Sequence, residues 1–268
     1  MSSVHGSGKV SVLMGVFNCE SYIADAVQSI LNQTYSNLEL IICDDGSTDH
    51  TLKIIRELEK IDQRIRVIEN HNNKGLNYTL NHCLKYADGE FIARQDGDDI
   101  SLPYRFEKQV SFLRNNPEYR IVSSPMIYFD DNGDWGRGKA IRYPQPEDVV
   151  RGTPICHAPV MMYKECLDRV HGYTVASRMI RVEDVNLWIK LYAEGYRCCN
   201  IMEPLYKMRN DKNALMRRKY KYRINSTLVR LEGCMILHLR LVNYIYAFKP
   251  MIYGLVPARI RQYIKQKQ

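Results

Sequence analysis

Short, nearly unbroken apolar runs alternate along this chain with segments whose apolar residues recur every three or four positions. Lys9–Phe17 (KVSVLMGVF), Leu38–Cys43 (LELIIC), Arg64–Ile68 (RIRVI) and the run from Phe91 into Asp96 are of the first kind. Runs this continuous predict strands covered on both faces, as in parallel sheets. Between them lie Ile23, Ala26, Val27, Ile30 and Leu31, then Leu52, Ile55 and Leu58, then Leu76, Leu80, Cys83 and Leu84. Each set marks one face of a helix. Asn18 stands where it can cap the first helix, and Thr48 or Asp49 the second. Strand alternating with helix four times predicts right-handed crossovers and a doubly wound α/β sheet.

A further helix is expected over Pro103–Asn115, after which the texture changes. Tyr119–Phe129, followed by Asp130-Asp131-Asn132-Gly133, predicts a hairpin with an Asn-Gly turn. Pro154–Tyr163 contains another apolar strand, and Met179–Tyr192 a helix with Val185, Leu187, Trp188 and Leu191 on its core face. Cys199–Met208 reads as a strand returning to the sheet, and the chain from Asp211 onward as helical and basic.

In doubly wound sheets, ligands bind beyond the carboxyl ends of the strands. Here those ends are Phe17/Asn18, Asp44/Asp45, Asn70/Lys74 and Asp96/Asp98. The fourth is the most charged, FIARQDGDDISLPYR, with three carboxylates and a glycine in four positions. Such a cluster is unfavourable without a cation or a hydrogen-bond network. Carboxylate oxygens suit Mg2+ and Mn2+, which commonly take one or two of them plus substrate phosphates. Taken alone, DGDD reads equally well as an acidic surface turn ahead of a helix. Asp130 and Asp131 form a second acidic candidate, for which a solvated turn is the favoured account. His157 beside a strand reads first as structural, and Glu183 and Asp184 first as complements to a helix dipole.

The 45% apolar content and 268 residues suit one large domain, or one domain with an appendage. No apolar run reaches the roughly 18 residues of a membrane-spanning helix. The start, MSSVHGSGK, reads as a loose leader rather than a secretory signal. The eight cysteines lack paired CxxC spacing, which points away from zinc and disulfides and toward a reducing cytosol. The net charge of +8 is unevenly spread. Lys207–Gln268 carries 15 lysines and arginines against 2 acids, whereas Met1–Tyr206 carries 23 against 28. The tail therefore seeks an anionic surface. Its mixture of Arg217, Arg218 and Arg223 with tyrosines, then Met235–Phe248, then Arg259, Arg261, Lys265 and Lys267, suits an interfacial helix on anionic lipid. The same helices would also suit packing on the body or on a second copy of the chain.

Taken together, these stretches resemble the family 2 glycosyltransferases of GT-A fold. The resemblance is carried by VSVLMGVFNCESYIADAVQSILNQTYSNLELIICDDGSTDHT, FIARQDGDDISLPYRFEKQ, HAPVMM, HGY and VEDVNLWIKLYAEGY, in that order between Lys9 and Arg209. It implies an α/β GT-A domain: a doubly wound, mostly parallel central sheet, a small antiparallel hairpin region and a helical C-terminal extension. Residues 1–8 would be a flexible leader, 9–118 the nucleotide-sugar half, 119–210 the acceptor half, and 211–268 a basic amphipathic tail.

The resemblance also implies a nucleotide-sugar donor, here a UDP-sugar, and transfer with inversion to a glycan hydroxyl. Phe17 would pack on uracil with Asn18 beside it, Asp44 or Asp45 would accept from the base N3–H, and Lys74 would lie near ribose or phosphate. Asp96-Gly97-Asp98 matches the DXD element, with Asp98 and Asp96 holding Mn2+ or Mg2+. Asp184 matches the catalytic base, with Glu183 on the nucleotide-sugar side and able to raise its partner's pKa by like-charge repulsion. Arg209 would meet the diphosphate, and His157 and Trp188 fall on the acceptor side. Two departures stand out. His157-Ala158-Pro159-Val160-Met161 replaces the common HPTVM, and the QxxRW of processive synthases is missing, which favours adding one sugar per encounter. A polyprenyl-diphosphate-linked acceptor would place the protein in the cytoplasm, against the inner face of the cell membrane, in surface polysaccharide synthesis.

Two other classes fit less of the chain. Nucleic-acid binding by the basic tail leaves the acidic body unexplained. A nucleotidyltransferase would want a basic, glycine-rich loop after the first strand, where this chain has Gly15-Val16-Phe17-Asn18-Cys19-Glu20.

Overall fold

The computed structural model describes residues 8–210 and 219–256. Most of the expected leader, the Arg217-Arg218 pair and the cationic end at Arg259, Arg261, Lys265 and Lys267 lie outside the described residues.

The apolar runs become β1 (Val10–Val16), β2 (Leu38–Asp44), β3 (Ile65–Glu69) and β4 (Phe91–Asp96), alternating with α1 (Ile23–Leu31), α2 (Thr51–Ile61) and α3 (Leu76–Leu84). These strands pair in parallel, β1 lying between β2 and β4. A short β5 (Ile100–Ser101) and α4 (Arg105–Asn115) follow. Strand side chains alternate between faces. Val12, Met14, Leu40 and Ile42 therefore meet Ile23, Val27 and Ile30 of α1 and Phe106, Val110 and Leu113 of α4. Leu13, Ile41, Cys43 and Ile92 face the other side, against Leu80 and Cys83 of α3.

Downstream come β6 (Ile121–Ser123), β7 (Met126–Asp130), β8 (Gly133–Arg137), α5 (Pro146–Arg151), β9 (Met161–Tyr163), α6 (Lys164–Arg169), α7 (Glu183–Ala193), β10 (Cys198–Asn200) and β11 (Tyr206–Arg209). The large sheet has the order β10-β6-β9-β4-β1-β2-β3, with β9 antiparallel to both neighbours. A second sheet, β5-β11-β7-β8, stands beside it. Leu187, Trp188 and Leu191 of α7 complete the core on the α3 face.

Two expected strands are each divided between the sheets. Tyr119–Phe129 breaks at Ser124-Pro125, so β6 joins the large sheet and β7 the small one. The return over Cys199–Met208 breaks at Pro204 into β10 and β11. Proline cannot donate a ladder hydrogen bond, and both breaks fall beside one. The hairpin forms where expected, but its turn is Asp131-Asn132 and not Asn-Gly: Gly133, at φ +106°, opens β8 and pairs with Asp130. Asn18 does not cap α1: it sits at φ +52° and its side chain reaches across to the β2 loop.

The C-terminal chain forms α8 (Tyr220–Ile236), α9 (Val242–Ala247) and α10 (Lys249–Leu255). α8 lies against the body, with Val229 in the same core as Trp188. Among the described residues, no helix is long and apolar enough to cross a membrane.

Candidate active site

The ends of β1, β2 and β4 open on one edge of the large sheet. Phe17 is 44% exposed there, an aromatic face free to meet a planar ligand. Asn18 Oδ1 accepts from the Thr48 backbone N–H (2.9 Å), and the Asn18 N–H donates to Ser47 Oγ (3.0 Å). The loops after β1 and β2 are thereby tied into one wall.

Asp44 and Asp45 are both buried but differently used. Asp45 Oδ1 accepts from Asn70 Nδ2 (2.8 Å) and the Lys74 N–H (2.9 Å), while its Oδ2 accepts from the Gly75 N–H (2.8 Å). Asp44 Oδ2 accepts from the Gly46 and Ser47 N–H groups (3.1 and 2.9 Å), but Asp44 Oδ1 is buried without a hydrogen-bond partner. An unmet buried acceptor costs about 1–3 kcal/mol. Asp44 is thus the carboxylate with an oxygen to spare for a ligand N–H. Lys74 is held through its backbone, and its side chain is exposed.

The acidic turn follows β4. Arg94 and Asp96 project from the same face of that strand and form an ion pair at its carboxyl end, with Arg94 buried and Asp96 partly exposed. The Asp96 N–H donates to the Tyr206 hydroxyl (3.1 Å), and Asp99 Oδ1 accepts from the Arg209 N–H (2.7 Å). Both contacts follow from the antiparallel pairing of β5 with β11. The Arg209 guanidinium lies 3.9 Å from the Tyr22 ring centroid and 4.6 Å from that of Phe129, and its Nη1 donates to Asp131 Oδ1 (2.7 Å). Asp131, at the tip of the hairpin, is therefore ion-paired to Arg209. Burial and the neighbouring Asp96 push the Asp98 carboxyl up to about 6. Burial, then Asp96 and Asp98, raise Asp99 well above the usual range.

Asp98 and Asp99 thus sit where burial and their acidic neighbours disfavour the charged form, which a bound cation would restore. Among the described residues, no three His, Cys, Asp or Glu side chains converge as a complete metal cage. The carboxylates fit the other arrangement, in which one or two protein oxygens and substrate phosphates share the ion. Beneath the turn, fully buried Arg105 donates to Ser101 Oγ (2.7 Å), to the Arg94 carbonyl (2.8 Å) and to the Val160 carbonyl (3.3 Å). Burial lowers its pKa to about 10. It locks the acidic turn to the loop that carries His157.

The second acidic station is the first turn of α7. Asp184 Oδ1 accepts from the Val185 N–H (2.8 Å). Burial, then the Asp184 charge, raises the pKa of Glu183. His157 Nε2 lies 2.8 Å from the Tyr173 hydroxyl, and its ring meets the Trp188 ring edge-on at 5.7 Å. Burial and then Arg94 hold His157 well below its ordinary pKa, so it is neutral. Trp188 is only 1% exposed, and it braces His157 from beneath instead of offering a surface to an acceptor.

The two stations share neighbours. Arg94 is within electrostatic reach of Asp96 and of Glu183. Tyr173 senses Asp96, Glu183 and Asp184. Sequence reasoning counted Asp99 in the acidic cluster without a role of its own, and assigned none to Arg94, Tyr173, Arg105 and Tyr206. For Arg94 there was a signal: a cation inside the otherwise apolar start of FIARQD. Tyr173 lay within the HGY stretch, but its contact with His157 depends on a loop folding back and left no pattern of its own.

A mostly parallel sheet with an exposed aromatic and an unsatisfied carboxylate at one set of strand ends, and two acidic stations with common neighbours, has the layout of an α/β domain that binds its ligand at the strand ends. The family profile "Glycosyl transferase family 2" matches residues 11–185, and the chain belongs to this family of glycosyltransferases. It is similar to a Bacillus subtilis protein named as the glycosyltransferase EpsE, with 42% identity over 97% of this chain and 94% of that one. An Escherichia coli relative, UDP-Glc:alpha-D-GlcNAc-diphosphoundecaprenol beta-1,3-glucosyltransferase WfaP, is 28% identical over 91% of this chain and 94% of its own. Among solved structures, S. aureus TarS in complex with UDP-GlcNAc aligns with TM-score 0.70 at 19% identity, over 96% of this chain and 79% of that one. The mannosyltransferase PcManGT from Pyrobaculum calidifontis, in complex with GDP-Man and Mn2+, aligns at 0.63 and 20%, over the same two shares. These likenesses show the GT-A fold.

Proposed function

We propose that this glycosyltransferase moves one hexosyl or N-acetylhexosaminyl unit from a UDP-sugar to a glycan hydroxyl, with inversion, in surface polysaccharide synthesis. The observation that carries the reading is the shared neighbourhood of the two acidic stations, through Arg94 and Tyr173. An inverting transfer needs one station at the leaving diphosphate and another at the incoming alcohol.

On the donor side, Phe17 stacks on the base and Asp44 accepts its N3–H through the free Oδ1. Asp45 shapes the Lys74–Gly75 loop around the ribose. Asp98, with Asp96 behind it, would hold Mn2+ or Mg2+. A divalent ion there would supply Lewis-acid stabilisation of the leaving charge, worth several kcal/mol. Arg209, sandwiched between two rings, adds a fixed cation to the same end. On the acceptor side, Asp184 takes the proton of the attacking hydroxyl, a contribution of roughly 10²–10⁴-fold. Neutral His157 and Tyr173 line the space between.

The UDP-sugar and the lipid-linked acceptor are supported by the names of WfaP and of the TarS complex, and the ion by the Mn2+ of PcManGT. An acceptor on a polyprenyl diphosphate places the protein in the cytoplasm, against the inner membrane face. The exposed apolar residues of α9 and α10, beside Arg240 and Lys249, serve that contact.

The test is UDP release from UDP-glucose and UDP-N-acetylglucosamine, with water as acceptor. Release should require Mn2+ or Mg2+ and stop in EDTA. Asp184→Asn should cut it by about 10²-fold or more while UDP binding survives. Wild-type release in Asp184→Asn, or in EDTA, overturns the assignment concerned.

A further inference from the structure

The family profile ends at residue 185, just after the acidic pair, and α8 lies wholly beyond it. Yet α8 is built into the support of that pair. Gly233 crosses α7 so closely that a Cβ added there would stand 2.5 Å from Ile189 Cδ1. Glu232 forms an ion pair with Arg178, in the 3-10 turn Ser177–Met179 that precedes Glu183. Val229 is buried in the core that holds Val182, Val185 and Trp188.

Arg230 is the unusual member of this helix. It is 6% exposed, and Nη1 donates to the carbonyls of Val149 (2.5 Å), Val150 (2.7 Å) and Gly152 (3.0 Å). Those are carbonyls at the end of α5, which has no further helical turn to satisfy them. Nε donates to Ser226 Oγ (3.3 Å). None of these partners is a carboxylate. A buried cation without a paired anion is costly unless some anion lies within reach. Burial lowers the Arg230 pKa, and the first group acting the other way is Asp184.

We propose that Arg230 is a positioning residue for the Asp184 base, tying α5 to α8, the helix that packs on α7, and holding its cation within electrostatic reach of that carboxylate. The inference rests on Asp184 being the base that deprotonates the acceptor. The other groups that sense the Asp184 charge are Glu183 on its own helix, Tyr173 from the preceding loop and Cys156 from the loop before β9. Glu183 in turn faces Arg94 and Arg181. Tyr173 and Cys156 are both raised by burial and stay neutral near pH 7, so neither replaces the charge of Arg230.

The experiment uses the full chain, with UDP-N-acetylglucosamine, Mn2+ and water as acceptor. Arg230→Gln keeps a hydrogen-bonding side chain and removes the charge. Without that cation the base holds its proton more tightly, so the acidic limb of the kcat–pH profile should move up by roughly 0.5–1 pH unit. UDP affinity should not change. Arg230→Lys keeps the charge but loses the Nη1 bonds to three carbonyls; its limb should stay in place while kcat falls roughly 3–10-fold at unchanged donor KM. A Gln variant that folds and keeps the wild-type limb overturns the proposal. If the Gln variant does not fold, wild-type kcat in Arg230→Lys overturns it instead. Failure of the underlying reading looks different: Asp184→Asn would then release UDP at the wild-type rate, whatever Arg230 does.

Discussion

Asp44 and Asp45 are adjacent and buried, and they do different jobs. Asp45 receives three N–H donors across both oxygens, so its charge organises the Lys74–Gly75 loop. Asp44 spends one oxygen on the Gly46–Ser47 turn and leaves the other unmet. Their asparagine variants should therefore fail differently. Asp44→Asn can keep its oxygen on the turn, but it would present an amide N–H₂ to the base N3–H, two donors facing each other. UDP affinity should fall by about 10–100-fold with thermal stability near wild type. Asp45→Asn instead sets an N–H₂ against backbone donors, and should lose about 1–3 kcal/mol of stability. Calorimetric UDP titration alongside thermal unfolding separates the two. The opposite pairing of effects would make Asp45 the base contact and Asp44 the loop anchor.

At the scale of elements, the catalytic edge depends on how tightly the turn after β4 packs on the end of β1. A Cβ added at Gly97 would lie 2.8 Å from Val16 Cγ1 and 3.3 Å from Cys19 Sγ. The turn can only make room by moving Asp96 and Asp98. Gly97→Ala should thus cost about 1–3 kcal/mol of stability and a larger share of UDP release. Adding Val16→Ala, which removes the obstructing methyl, should recover part of both. No recovery in the double variant would mean that the glycine serves the backbone and not the space. The same edge shows what the sequence made legible. β1, β2 and β4 were visible because strands covered on both faces leave continuous apolar runs, and the acidic turn after β4 because its charge stands out against them, whereas the candidacy of Asp184 came from the family resemblance and not from its charge. The hairpin of the small sheet was legible, but its pairing with β11 and β5 was hidden, since Pro125 and Pro204 divide runs that read as single strands. The ion pair of Arg209 with Asp131, and the Arg209 N–H on Asp99, join distant segments and leave no local pattern. Between Asp44 and Asp45, only hydrogen-bond geometry could decide.

At the scale of the molecule, the C-terminal helices have two faces. α8 turns Val229, Arg230 and Cys234 inward, while Leu241 (84% exposed), Ile245, Phe248, Ile252 and Leu255 point to solvent. These five recur at three- and four-residue spacing through α9 and α10, and Phe248, which joins the two helices, is itself helical (φ −79°, ψ −10°). One apolar stripe therefore lies on the outside of the fold, in a segment that holds six lysines and arginines against a single acid from Lys219 to Val256. Burying each such side chain yields about 1.5–3 kcal/mol, and each cation near anionic lipid about 1 kcal/mol. That combination suits a membrane surface better than a second copy of the chain, whose matching face would carry the same positive charge. The protein should float with vesicles containing anionic lipid, less with neutral ones and less at high salt. Ile245→Glu with Ile252→Glu should abolish flotation without touching UDP binding, because neither side chain is in the core. Undiminished flotation of that double variant would refute the membrane role, and so would a wild-type dimer in sedimentation that the same changes split. If flotation holds, the surface that meets lipid and the helix that braces Asp184 belong to one C-terminal unit, and the acceptor arrives at the side where the base is held.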